Sequence, residues 1–155
     1  MEQLARLLTK YGPVAVAESL TSGLVQDYFG EISGASKYYA GGITVYNLAQ
    51  KVKHLNVDRE HAFSVDCVSV RVAEEMAIGV CDLLGSEIGI GTTGYAEFPV
   101  DSDLPYGYYF IFFKSDPQNC IGGRLSKDLQ RNEFRQWFVE QVMQKFKEAL
   151  NHLEN

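Results

Sequence analysis

Residues 14–23, VAVAESLTSG, decide the fold class of this chain. The first four residues are apolar without polar alternation, which is typical of a strand that is covered on both faces in a parallel sheet. The next six hold an acid, three hydroxyl residues and a glycine. Such residues are common in ordinary turns, and they equally suit a ligand site at the carboxyl end of a strand. Both interpretations are open at this point.

The rest of the chain alternates helical and extended patterns around this strand. The spacing of apolar residues predicts α-helices over residues 1–11, 22–32, 48–57, 65–84 and 128–153. Runs rich in β-branched and aromatic residues predict strands at 41–47, 87–94, 108–114 and 119–126, the last two as an antiparallel pair. We therefore predict an α/β fold, a compact single-domain sandwich over residues 1–155 with a mixed sheet flanked by helices.

The composition excludes several classes of protein. The chain has 155 residues, of which 46% are apolar, so it is long enough to bury one hydrophobic core. Its formal net charge of -6 argues against a broad nucleic-acid-binding face, although a few local donors can still hold one phosphate. No apolar run approaches the roughly 20 residues of a membrane helix, and the charged N-terminal segment does not resemble a signal peptide. We expect a cytoplasmic protein without nucleic-acid or membrane partners.

The three cysteines, Cys67, Cys81 and Cys120, are widely spaced. There is no CxxC pair and no cluster of histidine and cysteine in the sequence, so neither a metal site nor a disulfide framework is expected. The interpretation is reduced thiols in a cytosolic protein that uses no metal and no cofactor.

Two of the predicted strands, about 75 residues apart, end in turns rich in hydroxyls and glycine: ESLTSG at 18–23 and TTG at 92–94. Between them lie Ser36 on a loop, Tyr46 at a strand end and Lys51 in the following helix. A serine hydroxyl attacks only when a base takes its proton, and none of the three histidines has a matched aspartate. Lysine can be that base if burial lowers its pKa towards neutrality. The alternative to a buried general base is that the Lys51 side chain is simply exposed to solvent.

Together these motifs resemble the C-terminal domain of the CinA family, the competence/damage-inducible protein A group, whose stand-alone members include nicotinamide-nucleotide amidases. AESLTSG at 17–23, GAS at 34–36 and GGITVYNLAQK at 41–51 are similar to the family's AESCTGG, GSS or GAS, and G-x-x-x-Y-S-N-x-x-K motifs, in the same order. The resemblance extends over nearly the whole chain. It implies metal-free hydrolysis of the carboxamide of nicotinamide mononucleotide (NMN), which gives nicotinate mononucleotide and ammonia.

The resemblance also implies roles for individual residues. Ser36 would be the nucleophile and Lys51 its general base, with Tyr46 and Ser19 completing the proton network. The other implied site residues would shape the pocket or bind substrate: Glu18, Thr21, Gly23, Thr93, Gly94, Arg131 and Arg135. Arg124 is a further candidate for the substrate phosphate, and a solvated surface is the alternative for all three arginines. The expected partner is a small molecule, a pyridine nucleotide, and the acidic surface permits a homo-oligomer.

The turn at residues 93–99 departs from the family pattern. It reads TGYAEFP, with Glu97-Phe98 in place of the single glycine of the family's S-G-I-A-G-P turn. A carboxylate there would repel a substrate phosphate. Two alternatives to NMN hydrolysis are therefore open: a non-catalytic or substrate-altered nucleotide-binding relative of the same fold, and a generic structural α/β domain.

Overall fold

A five-stranded mixed sheet in the order β2-β1-β3-β4-β5 forms the centre of the computed structural model, which describes all residues 1–155. The strands are β1 (Val14–Glu18), β2 (Tyr39–Thr44), β3 (Ile88–Tyr95), β4 (Tyr106–Phe113) and β5 (Ile121–Ser126). β1 pairs in parallel with both β2 and β3, whereas β4 is antiparallel to β3 and to β5. The predicted α/β fold with a mixed sheet is confirmed.

Six α-helices flank the sheet: α1 (Glu2–Tyr11), α2 (Leu24–Gly30), α3 (Leu48–Leu55), α4 (Arg59–Ser64), α5 (Val70–Leu84) and α6 (Arg131–His152). The sequence did not predict α4, whose first turn is capped by the Asp58 side chain, an acceptor from the His61 N–H. The helix predicted from residue 65 begins later, because Asp66 and Cys67 both have positive φ angles. None of the six helices combines the length and the apolar character of a membrane-spanning segment.

The alternation of valine and alanine in β1 reflects two different faces of the sheet. Val14 and Val16 belong to the larger hydrophobic cluster, which includes residues of α1, α2 and α6. Ala15 and Ala17 face the smaller cluster, which contains residues of α3 and α5. All five residues of β1 are buried, as expected for a strand covered on both sides.

A cleft forms where β1 and β3 separate. Their pairing runs from Val14 and Ile88 to Ala17 and Gly91 and then ends. β3 continues along β4 as far as Tyr95, while the chain after β1 turns through residues 19–22 into α2. Clefts at the carboxyl ends of neighbouring parallel strands are common ligand sites in α/β sheets. The fold therefore brings the two hydroxyl-rich turns to one place.

Candidate active site

A cavity of about 360 Å³ lies in this cleft. Its walls come from five segments that are distant in sequence: the turn after β1 (Ser19 and Leu20), the start of α3 (Tyr46 and Lys51), residues 66–68 before α5, residues 93–99 at the end of β3, and Arg131 at the start of α6. No group of three or more His, Cys, Asp or Glu side chains is arranged to hold a metal ion.

The Lys51 amine lies at the base of this cavity, in contact with Ser19. Its Nζ atom is 3.0 Å from Ser19 Oγ and donates a hydrogen bond to the Val45 carbonyl oxygen at 2.9 Å. The Lys51 side chain is almost completely buried, with 1% of its surface exposed. The Asn47 side chain caps α3 by accepting from the Gln50 N–H, and this fixes the helix that aims Lys51 inward.

Burial lowers the pKa of the Lys51 amine below its ordinary value of 10.5, while the electrostatic influence of Cys67 and Asp66 acts in the opposite direction. No carboxylate forms an ion pair with this amine. A buried ammonium without an anionic partner is unfavourable, so the site favours the neutral amine. A neutral amine 3.0 Å from a hydroxyl can accept its proton, which is what a serine nucleophile requires.

The predicted pair of Ser36 and Lys51 is not formed. Ser36 lies in the exposed 3-10 turn Ala35–Lys37, which precedes β2, and it does not line the cavity. Because β1 and β2 are parallel, the residue before β2 and the residue after β1 lie at opposite edges of the sheet. Strands of five to six residues separate these edges by roughly 17–20 Å. The serine at Lys51 is therefore Ser19, which the sequence had placed in a supporting role.

Three residues predicted to shape the pocket instead hold the turn that carries Ser19. The Glu18 carboxylate is fully buried and accepts from the N–H groups of Val25 (2.8 Å) and Gln26 (3.0 Å) at the start of α2. The Thr21 hydroxyl is hydrogen-bonded to that of Thr92, and Gly23 begins α2 with a φ of 101°. None of the three predicted residues lines the cavity.

We expect Glu18→Gln to lower the free energy of unfolding by about 1–3 kcal/mol. The amide places an NH2 group against a backbone N–H, so that one buried donor loses its acceptor, and it removes a negative charge from a helix N-terminus. Urea denaturation would measure the loss. Glu31→Gln, an exposed position just after α2, is the matched control and should unfold at the wild-type midpoint. Equal midpoints for all three proteins would contradict the capping role.

The three candidate arginines have different positions. Arg135 donates to the carbonyl oxygens of Leu20 (2.8 Å) and Thr21 (3.2 Å), so it braces the turn after β1. The Arg124 guanidinium lies over the Tyr106 ring, outside the cavity. Arg131 alone of the three lines the cavity, and its contacts are with residues of the cavity wall. Of the three arginines predicted as candidates for the substrate phosphate, Arg131 therefore lies at the cavity, and Arg135 and Arg124 do not.

Thr93 and Gly94, predicted to bind substrate, line the cavity, and so does Tyr46, whose hydroxyl contacts Arg131 and not the Ser19–Lys51 pair of the predicted proton network. The Thr93 hydroxyl donates to the Cys67 carbonyl oxygen at 2.6 Å and thereby fixes the neighbouring wall. A Cβ atom on Gly94 would lie 2.5 Å from Gly107, so only glycine allows β3 and β4 to approach here. Tyr46 lies at the rim, with 58% of its surface exposed.

Sequence reasoning missed the wall formed by Asp66, Cys67 and Tyr95. Asp66 Oδ2 accepts from the Tyr95 hydroxyl at 2.8 Å. Burial, reinforced by Asp66, raises the pKa of Tyr95 well above its ordinary value, so this phenol stays protonated and donating. Burial also raises the pKa of the Cys67 thiol, although Lys51 acts to lower it. Two sequence segments bear on this wall: Tyr95 belongs to the TGYAEFP turn, and Asp66 and Cys67 lie in SVDCVS, which the sequence pattern places mostly within the helix predicted over residues 65–84.

A family model described as the CinA C-terminal domain matches residues 1–150. The chain belongs to the CinA C-terminal domain family. A CinA-like protein from Picosynechococcus sp. is 40% identical over 116 residues, which are 74% of this chain and 27% of that relative. A putative competence-damage inducible protein from Halothermothrix orenii is 38% identical over 112 residues, 71% of this chain and 27% of that relative. The chain thus spans about a quarter of the length of the curated relatives it matches.

Solved structures of the CinA superfamily share this fold. A Klebsiella pneumoniae member superposes with a TM-score of 0.86 at 22% identity, covering 97% of this chain and 94% of the other. The competence/damage inducible protein of Agrobacterium tumefaciens gives 0.78 at 25% identity, with the same coverage. The predicted membership of the CinA family and its predicted fold are both confirmed.

In this CinA-type site, the turn after β1 also supplies a free hydrogen-bond donor. Leu20 directly follows Ser19 and lines the cavity, and its backbone N–H has no acceptor within the chain. Arg135 holds the Leu20 carbonyl oxygen, which restrains the turn. An N–H fixed beside a hydroxyl nucleophile can stabilise negative charge on a carbonyl oxygen that the nucleophile attacks. The site thus brings together a serine hydroxyl, a buried amine and a backbone N–H without an acceptor at one cavity.

Proposed function

We propose that this CinA-family domain is a serine amidohydrolase in which Ser19 is the nucleophile and Lys51 the general base. The observation that supports this most directly is the 3.0 Å separation of Lys51 Nζ and Ser19 Oγ at a buried position. The lowered pKa of the amine increases the fraction of Lys51 that is present as the free base at a given pH. Burying a lysine without a carboxylate partner costs free energy, and a purely structural role would offer little stabilisation to offset that cost.

The proposed reaction proceeds in two steps on these residues. Ser19 Oγ attacks the carboxamide carbon while its proton passes to Lys51 Nζ, and the Leu20 N–H stabilises the oxyanion. Lys51 then returns the proton to the leaving nitrogen, the C–N bond breaks, and ammonia departs from the acyl-enzyme. Water attacks the ester carbon while Lys51 takes a proton from it, the bond between that carbon and Ser19 Oγ breaks, and Lys51 returns the proton to Ser19 Oγ as the acid product leaves.

The proposed substrate is NMN, and its product is nicotinate mononucleotide. This follows from the resemblance to nicotinamide-nucleotide amidases, and the character of the cavity is compatible with it. Tyr46, Tyr95 and Phe98 line the cavity with aromatic rings, which attract a cationic pyridinium. Arg131 is the exposed cation at the rim and the candidate contact for the phosphate.

The direct test is incubation of the purified chain with NMN, with ammonia and nicotinate mononucleotide both quantified. Equal amounts of the two products, undiminished by a metal chelator, are expected. Absence of both products at saturating NMN would reject this substrate. A rise in melting temperature with NMN but no turnover would favour the binding-only alternative, because a ligand that binds only the native state stabilises it.

The proposed base also predicts how activity depends on pH. Only the unprotonated Lys51 can accept the serine proton, so kcat/KM should fall about tenfold per pH unit on acidification below the lowered pKa of this amine. The inflection should lie below the ordinary lysine value of 10.5. The measurement is kcat/KM for NMN under conditions in which chemistry limits the rate. A flat profile from about pH 6 to about pH 10 would contradict the assignment.

A further inference from the structure

In the turn that departs from the family pattern, residues 93–99, the Glu97 carboxylate contacts Arg131, the exposed cation of the cavity. Glu97 Oε1 is 3.3 Å from Arg131 NH1, and Arg131 NH2 donates to the Tyr46 hydroxyl at 3.1 Å. All three residues line the cavity. A guanidinium recognises a phosphate best with two parallel N–H donors. Here both terminal nitrogens already have partners within the protein.

The charges around the cavity determine how this contact affects the binding of an anionic substrate. The lining residues include two carboxylates, Asp66 and Glu97, and two basic groups, Lys51 and Arg131. Lys51 is buried and burial lowers its pKa, so Arg131 is the basic group of the cavity that is open to an incoming anion. An anionic group of a substrate must therefore displace the Glu97 carboxylate from Arg131 and then remain near it, at a cost in binding free energy.

We propose that Glu97 is a specificity-determining residue that competes with the substrate's anionic group for Arg131. This inference rests on the proposed function for the substrate class, a pyridinium carboxamide with or without a phosphate. In the native cavity the phosphate then adds little binding free energy, so the phosphate-free nucleoside binds nearly as tightly as NMN. Both partners are exposed, Arg131 with 46% and Glu97 with 67% of the side-chain surface, so the substrate can displace the pair. The expected effect is about fivefold in affinity.

A binding experiment tests this without any catalytic turnover. Ribose 5-phosphate is titrated by calorimetry into wild type, Glu97→Gln and Glu140→Gln. Glu97→Gln keeps the shape of the side chain and removes its charge, so the Kd of this variant for ribose 5-phosphate should be about fivefold lower than that of the wild type. The difference should be smaller at high salt. Glu140→Gln removes the same charge from an exposed position farther along α6 and should bind as wild type does. Adding Arg131→Gln to Glu97→Gln should abolish the gain.

Equal Kd values for wild type and Glu97→Gln would overturn the proposal, and so would a lack of measurable binding to both. An equal gain in Glu140→Gln would also overturn it, since the effect would then come from net charge alone. With turnover as the readout, Glu97→Gln should raise kcat/KM for NMN about fivefold through KM, and leave nicotinamide riboside unchanged. Absence of ammonia release from either compound would reject the amidohydrolase, whereas the calorimetry would still decide the role of Glu97.

Discussion

Ser19→Ala should lower kcat for NMN hydrolysis by at least about 10³-fold. The substitution removes the oxygen that forms the acyl-enzyme and leaves Lys51 without a hydroxyl to deprotonate. Residual turnover would come from binding and from the Leu20 N–H alone. The measurement is steady-state ammonia release by the wild type and the variant.

Ser36→Ala is the matched control for this experiment. It removes the same hydroxyl from an exposed turn at the opposite edge of the sheet, and full activity is expected. The reverse result, an inactive Ser36→Ala beside an active Ser19→Ala, would restore the pairing that the sequence suggested. Unfolding curves of both variants should overlay the wild type within about 1 kcal/mol, since each loses at most one hydrogen bond.

The sequence predicted the fold well because its local patterns agree with the global structure. The uninterrupted VAVA run indicated a strand covered on both faces. The hydroxyl-rich ends of β1 and β3 indicated that the carboxyl ends of two parallel strands lie together. The same reasoning could not decide whether Ser19 or Ser36 lies near Lys51. Both lie in small, polar turns, and only the direction of β2 relative to β1 decides which turn lies near Lys51.

Other parts of the site depend on contacts that no local pattern encodes. Asp66 and Cys67 form part of the wall because consecutive positive φ angles redirect the chain between α4 and α5. The pairing of Glu97 with Arg131 joins a loop to a helix 34 positions later. The sequence suggested that Glu97 is unusual, but the structure was needed to find its partner.

Lys51→Met should likewise abolish amide hydrolysis, by at least about 10³-fold, because no other group within hydrogen-bonding distance of Ser19 Oγ can take its proton. Methionine has an unbranched, apolar side chain that can fill the same buried space. Lys53→Met changes an exposed lysine of the same helix and should keep wild-type activity. Retained activity in Lys51→Met would exclude the amine as the base.

The same variant tests the state of the amine independently of catalysis. Burial lowers the pKa of Lys51 in the native protein below the 10.5 of an ordinary lysine, so between these two values the unfolded chain binds more protons than the native one. Raising the pH through that interval therefore favours the native state. Below the interval both states are protonated, and the native state bears the full cost of a buried ammonium. The stability of the wild type relative to Lys51→Met should accordingly increase with pH, as urea denaturation would measure. A difference that stays constant with pH would mean that the amine is as well solvated in the native protein as in the unfolded chain, and it could not then serve as a neutral base.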